Sequence, residues 1–187
     1  MDERYSYADY SRWPEDERWE LLDGIPYDMS PAPGYVHQAV SARITERICQ
    51  FLADKKGPCR LLYAPLDVLL PDGNESDDDV LTVVQPDIIV VCDQKKLITK
   101  GCRGAPDFVV EILSPSTASK DLREKLGLYE KHGVKEYWIV DPEHKLLIVY
   151  LPTPDGKYMR EAVYASGDKL ASKVLSGLTI QCGELFE

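Results

Sequence analysis

The sequence predicts an α/β fold, a mixed β-sheet flanked by helices with a β-hairpin near the N-terminus, and three observations carry that prediction. Two short apolar runs, QPDIIVVCD at 85–93 and PDFVVEILS at 106–114, each follow a Pro-Asp step and read as central strands of a sheet covered on both faces. Between residues 36 and 52 apolar side chains recur every four positions, the period of an amphipathic helix. Earlier, RWELLDGIPYDMS sets two strand-like segments around Asp23-Gly24, a pair that tolerates the positive φ of a tight hairpin turn.

The 187 residues fit one domain spanning 1–187, long enough to bury a core without disulfides or structural metal. A content of 44% hydrophobic and 29% charged residues is ordinary for a soluble protein. No run approaches the roughly 20 apolar residues that span a bilayer, and MDERYSYADYSRW is too charged for a signal peptide. A cytoplasmic protein without a membrane partner is the expectation. The five cysteines (Cys49, Cys59, Cys92, Cys102, Cys182) are odd in number and lack a CxxC pair, so reduced thiols are expected rather than a disulfide framework or a zinc site. The net charge of −10, from 22 basic and 32 acidic residues, argues against a broad polyanion-binding surface. Metal-dependent nucleases nevertheless need acids in the site itself.

In chain order, the hairpin places Glu20 on its first strand, where alternate residues are exposed, so Glu20 reads equally as a surface acid. After SPAPG comes a helix with the stripe Val36, Val40, Ile44, Ile48 and Leu52, with Phe51 alongside, ending near Lys55-Lys56-Gly57-Pro58. His37 flanks that stripe and reads as a surface or capping residue ahead of a ligand. CRLLYAPLDVLLP is strand-like. The acidic segment around Asp77, Asp78 and Asp79 lacks the Gly and Glu placement of an EF-hand and reads as a solvated connection. Beyond the two Pro-Asp strands, residues Ser116 to His132 read as a helix with Ser or Thr N-cap candidates, Asp121 in the first turn, Gly133 as the stop and a core stripe of Leu122, Leu126 and Tyr129. KEYWIVDPEHKLLIVYL and KYMREAVY add strands before the tail GLTIQCGELFE, with no repeats or domain linkers. The YWIV and LLIVYL runs suit a core as well as a dimer interface.

The chemistry starts from Glu111, because an ionised carboxylate in a buried apolar strand needs a partner, a metal or a proton. Asp87 meets it if their strands are neighbours, and magnesium is commonly held by one or two such carboxylates plus water and phosphate. Asp107 shares the strand of Glu111 four residues away, about 13 Å at roughly 3.3 Å per residue, too far to ligate the same ion. In the following helix Lys125 lies some 60° from Leu122 at about 100° per residue, with Asp121 on the same border of the buried stripe. Lys125 is therefore placed to neutralise Glu111 or polarise a water, whereas Lys120 and Lys131 are exposed. A buried Glu–Lys pair also occurs as a purely structural device. The sequence has no GxxxxGK[ST] loop and no GxSxG elbow, which disfavours P-loop and serine-hydrolase chemistry.

The ordered set RWELLDG, MSPAPGYVHQ, QPDIIVV, PDFVVEILSPST and DLREKLGLYEKHGVKEYWIVDP resembles the Uma-type family of restriction endonucleases, within the PD-(D/E)XK nuclease superfamily, from roughly Tyr5 to Phe186. The resemblance implies a restriction endonuclease-like fold, magnesium or manganese as cofactor, hydrolysis of DNA phosphodiesters and, by analogy, a homodimer. Carried over by motif, Asp87 is the Pro-Asp carboxylate, Glu111 the second metal ligand and Glu20 the N-terminal acid that often joins them. The superfamily's lysine sits two residues after the second acid, a slot occupied by Leu113. The family pattern implies that the lysine has moved into the next helix, which matches Lys125. On this expectation the ion activates water and stabilises charge on the phosphate while Lys125 positions that water. Two other readings stay open: a nuclease-fold protein without catalysis that serves as a binding or assembly module, and an enzyme acting on another phosphate-bearing substrate.

Overall fold

The structure, a computed structural model, describes residues 3–14, 16–29, 32–114 and 124–187. In chain order its elements are α1 (Tyr7–Tyr10), β1 (Trp19–Leu22), β2 (Ile25–Asp28), α2 (Tyr35–Lys55), β3 (Arg60–Tyr63), β4 (Asp67–Leu69), β5 (Val83–Val84), β6 (Ile88–Val91), β7 (Leu97–Ile98), β8 (Gly101–Arg103), β9 (Phe108–Ile112), α3 (Leu126–His132), β10 (Glu136–Asp141), β11 (Leu146–Pro152), β12 (Tyr158–Tyr164), β13 (Lys169–Ala171) and β14 (Thr179–Gln181).

Local signals translate directly into several of these. Asp23 and Gly24 take φ of 50° and 81°, the two positive values a tight hairpin turn requires, and β1 closes on β2 around them. The long helix α2 ends as Lys56 turns left-handed at φ 51°, and α3 stops at Gly133 with φ 80°. The N-cap candidates, Lys120, Asp121 and Leu122 lie outside the described residues. Asp77–Asp79 form a single exposed 3-10 turn, a solvated connection as expected, pinned by Arg103 Nε at 2.6 Å from Asp77 Oδ1.

The expectation of one central sheet flanked by helices needs correcting: there are two six-stranded mixed sheets. The central sheet has the order β12-β11-β10-β9-β6-β3, and the second the order β2-β1-β5-β4-β8-β7. In the central sheet β9 and β10 run parallel and the other pairs antiparallel. CRLLYAPLDVLLP is not one strand. It divides around Pro65, which has no N–H to give a ladder, so that β3 belongs to the central sheet and β4 to the second.

Each layer is held by apolar burial, worth about 1.5–3 kcal/mol for a large aliphatic or aromatic side chain. One face of the central sheet (Ile88, Val90, Phe108, Val110, Trp138, Val140) packs on the α2 stripe and on Leu170, Ile180 and Leu185 of the C-terminal segment. The other face (Ile89, Val109, Tyr137, Ile139) packs on Leu128 and Tyr129 of α3 and on Val68 and Val84 of the second sheet. The far side of that second sheet buries Leu21, Leu69 and Val83 against Tyr7. On α2 the buried positions are His37, Val40, Ile44 and Ile48; Val36, expected in the stripe, is 55% exposed. No described helix is long and apolar enough to cross a membrane.

The cysteines also depart from expectation. Cys59 and Cys92 form a disulfide, while Cys49, Cys102 and Cys182 are free. The reason is non-local: Arg60 pairs with Val91 across β3 and β6, so one step further along the register Cys59 faces Cys92.

Candidate active site

The site is built where the chain crosses from one sheet to the other. β5 lies in the second sheet and β6 in the central one, so the connecting residues Gln85, Pro86 and Asp87 span the junction. In the antiparallel pair of β6 and β9 the register ends with Ile88 opposite Val110, and Asp87 and Glu111 are the next residue of each segment beyond that pair. The ladder ends at Ile88, and Pro86 just ahead of it has no N–H to extend it. The Ile112 N–H donates instead to Asp87 Oδ2 at 2.7 Å, and His37 Nε2 lies 3.2 Å from the same oxygen. Asp87 Oδ1 takes no hydrogen bond from the described residues, and the side chain is 18% exposed.

Glu111 finds its partners in α3 and the residue before it. Its Oε1 accepts from the Tyr129 hydroxyl at 2.6 Å and from Lys125 Nζ at 3.0 Å. The same ammonium lies 2.9 Å from Glu20 Oε1, which also accepts from the Gln85 N–H at 2.9 Å. Glu20, Glu111 and Lys125 are all buried. Burial, followed by the charge of Glu111, drives the Tyr129 phenol well above its ordinary range, so it remains an O–H donor to that carboxylate. The carboxylate in the apolar strand is thus answered by an ammonium and a phenol, and the ammonium joins an acid from each sheet.

Asp107 sits at the other end of β9, as its spacing requires. Its Oδ1 lies 2.6 Å from Lys135 Nζ and its Oδ2 accepts from the Cys92 N–H at 2.8 Å. Burial pushes its carboxyl upward, but Lys135 and that N–H outweigh burial and hold it below the usual range. Asp121 lies outside the described residues.

Three participants escaped the sequence reading. His37 is buried against Asp87, and its other ring nitrogen, Nδ1, has no hydrogen-bond partner among the described residues. Its place three residues before Val40, in step with Ile44 and Ile48, was the available signal. Tyr129 was expected in the core for its ring, but its hydroxyl is what reaches Glu111. Gln85 contributes through its backbone, and no local pattern marks it.

Among the described residues no three of His, Cys, Asp and Glu converge as a ready-made metal cage. The site offers two hard carboxylates on opposed strand ends, one of them with a spare oxygen. That suits magnesium or manganese, which take one or two protein carboxylates and complete their shells with water and phosphate. Glu20 joins this pair through Lys125, on the Glu111 side.

Fold and site together define a class: a mixed α/β protein with paired acids at the ends of adjacent central strands and a lysine delivered from just ahead of the next helix. Over residues 7–183 the chain matches the family described as "Uma2: Putative restriction endonuclease", and it belongs to that family. Its fold is similar to the crystal structure of a "putative nuclease belonging to DUF820" from Anabaena variabilis ATCC 29413, with a TM-score of 0.77, 19% identity and 97% of each chain covered. In sequence it is 26% identical over 173 residues to "Uncharacterized protein slr1290" of Synechocystis sp. (strain ATCC 27184 / PCC 6803 / Kazusa), covering 91% of this chain and 85% of that protein.

Proposed function

We propose that this protein is a metal-dependent endonuclease that hydrolyses phosphodiester bonds of DNA, with Asp87 and Glu111 holding magnesium or manganese. The observation that supports this reading best is that Asp87 and Glu111 each lie one residue beyond Ile88 and Val110, the last pair of β6 and β9, with Lys125 Nζ 3.0 Å from Glu111. When bound, the ion supplies Lewis-acid polarisation of the phosphate and a more acidic water. Asp87 offers its Oδ1 while Ile112 and His37 fix its Oδ2. Tyr129 fixes Glu111 at Oε1. Lys125 is a cationic donor for charge that develops on the phosphate, of the kind whose value rises in a site closed to water. Glu20 acts through its hold on that ammonium and is a positioning residue. Assembly as a homodimer, by analogy with restriction endonucleases, completes the proposal.

A second reading draws on the network of Glu20, Lys125 and Glu111, which brings each charge to an opposite one and has the form of a structural ion pair. It makes the protein a binding or assembly module without catalysis. Nicking of supercoiled plasmid in manganese separates the two. Wild type nicks, whereas Asp87→Asn, Glu111→Gln and Lys125→Met each lose about a hundredfold or more. Equal cleavage by all four proteins identifies a contaminant and ends the assignment. Calorimetry that finds no Mn²⁺ binding dependent on Asp87 and Glu111 selects the binding module.

A further inference from the structure

The residues ahead of β1 build a pocket that the acids do not use. Tyr7, Tyr10, Trp13 and Trp19 line a cavity of about 590 Å³, together with Arg18 and Lys100, and that volume lies in the range that takes small organic ligands. Tyr10 and Trp13 stand edge to face with centroids 5.6 Å apart, and Trp13 meets Trp19 in the same way at 5.6 Å. All three rings are partly exposed, so their mutual contacts do not close the assembly.

The polar side of the pocket is a built network. Asp67 Oδ1 accepts from the Tyr10 hydroxyl at 2.8 Å and from Gln85 Nε2 at 3.0 Å. Gln85 Oε1 accepts from Arg18 Nη2 at 2.9 Å. Asp67 Oδ2 takes no hydrogen bond from the described residues and is left to accept one from a ligand. Gln85 also ties the pocket to the acids: its backbone N–H holds Glu20 Oε1 at 2.9 Å. Asp87 follows two residues later, about 7 Å along an extended chain.

We infer that this pocket holds an unstacked nucleobase of the nucleic acid whose backbone lies at Asp87 and Glu111, an inference that rests on the nuclease reading above. Aromatic rings hold bases drawn out of a helix with little regard to base identity. A carboxylate oxygen accepts from a base amino group, and Arg18 and Lys100 suit the flanking phosphates. Charge balance points the same way. A chain of net charge −10 has little electrostatic attraction for a duplex backbone, so stacking supplies affinity that a basic surface gives other proteins.

The test is tryptophan fluorescence of the full chain titrated with a short single-stranded oligodeoxynucleotide in EDTA. Trp138 is fully buried in the central sheet, so quenching reports on Trp13 and Trp19. Trp13→Ala weakens binding about tenfold or more, and Trp13→Phe restores most of it. Lys100→Glu, at an exposed side chain whose ammonium lies 5.3 Å from the Tyr7 ring centroid, weakens binding while leaving Trp13 itself in place. Equal affinity of wild type, Trp13→Ala and Lys100→Glu overturns the inference. Plasmid nicking in manganese reads the nuclease proposal separately. Nicking without quenching overturns the pocket alone, whereas quenching that depends on Trp13 without nicking supports base binding and overturns the nuclease reading.

Discussion

Two buried glutamates in neighbouring strands show how a residue's partners decide what it can do. Glu136, at the start of β10, is fully buried and, among the described residues, served by neutral donors alone: Trp138 Nε1 on Oε1 at 2.8 Å, and Ser172 Oγ, Lys173 N and Val174 N on Oε2 at 2.8, 2.9 and 2.7 Å. It clamps the C-terminal segment to the central sheet. Glu111, in the adjacent β9, is served by the ammonium of Lys125, which it shares with Glu20. Removing that cation takes a shared positive partner away from two buried carboxylates. Lys125→Met therefore costs about 3–5 kcal/mol of stability, read from urea unfolding, and adding Glu20→Gln recovers part of it. A loss within 0.5 kcal/mol of zero, the size of an ordinary surface substitution, overturns the ion-pair account. The oddity of Glu111 was legible in one strand, because an acid among valines and isoleucines is expensive wherever it sits. The roles of His37 and Gln85 were not, because each depends on a partner from another element.

At the scale of elements, patterns carried within one segment came through. The Asp23-Gly24 turn, the α2 period, the Gly133 stop and the two Pro-Asp strands all rest on short-range sterics or periodicity. The division of strands between sheets did not, because pairing joins residues far apart in sequence and CRLLYAPLDVLLP contains two strands bound for different sheets. The pairing of β4 with β8 gives a sharp test. Gly101 holds φ 151° opposite Asp67, and a Cβ there would overlap the Asp67 backbone carbonyl. Gly101→Ala destabilises by about 1–3 kcal/mol and, because Asp67 lines the aromatic pocket, weakens oligonucleotide quenching as well. A variant with wild-type melting would show that the two strands do not approach so closely.

For the whole molecule, the cysteine arithmetic of the sequence missed a link that only the three-dimensional register makes visible. The Cys59–Cys92 disulfide closes a loop with a sequence separation of 33 residues between adjacent central strands, which by loop entropy is worth about 3–4 kcal/mol. Denatured without reductant, the chain titrates three thiols, those of Cys49, Cys102 and Cys182, and after reduction five. Five thiols from the outset would remove the link. The overall plan rests on a crossing just as short, because Gln85, Pro86 and Asp87 pass from one sheet to the other while supplying the hold on Glu20, one wall of the pocket and a proposed metal ligand. A single codon inserted between Gln85 and Asp87 would leave every residue of the site in place in the gene, yet lengthen the crossing that sets the hold on Glu20 and the proposed metal ligand two residues apart. Point substitutions in the walls around this crossing keep its length, whereas an insertion or deletion within it changes the spacing of the hold on Glu20 and the proposed ligand at once.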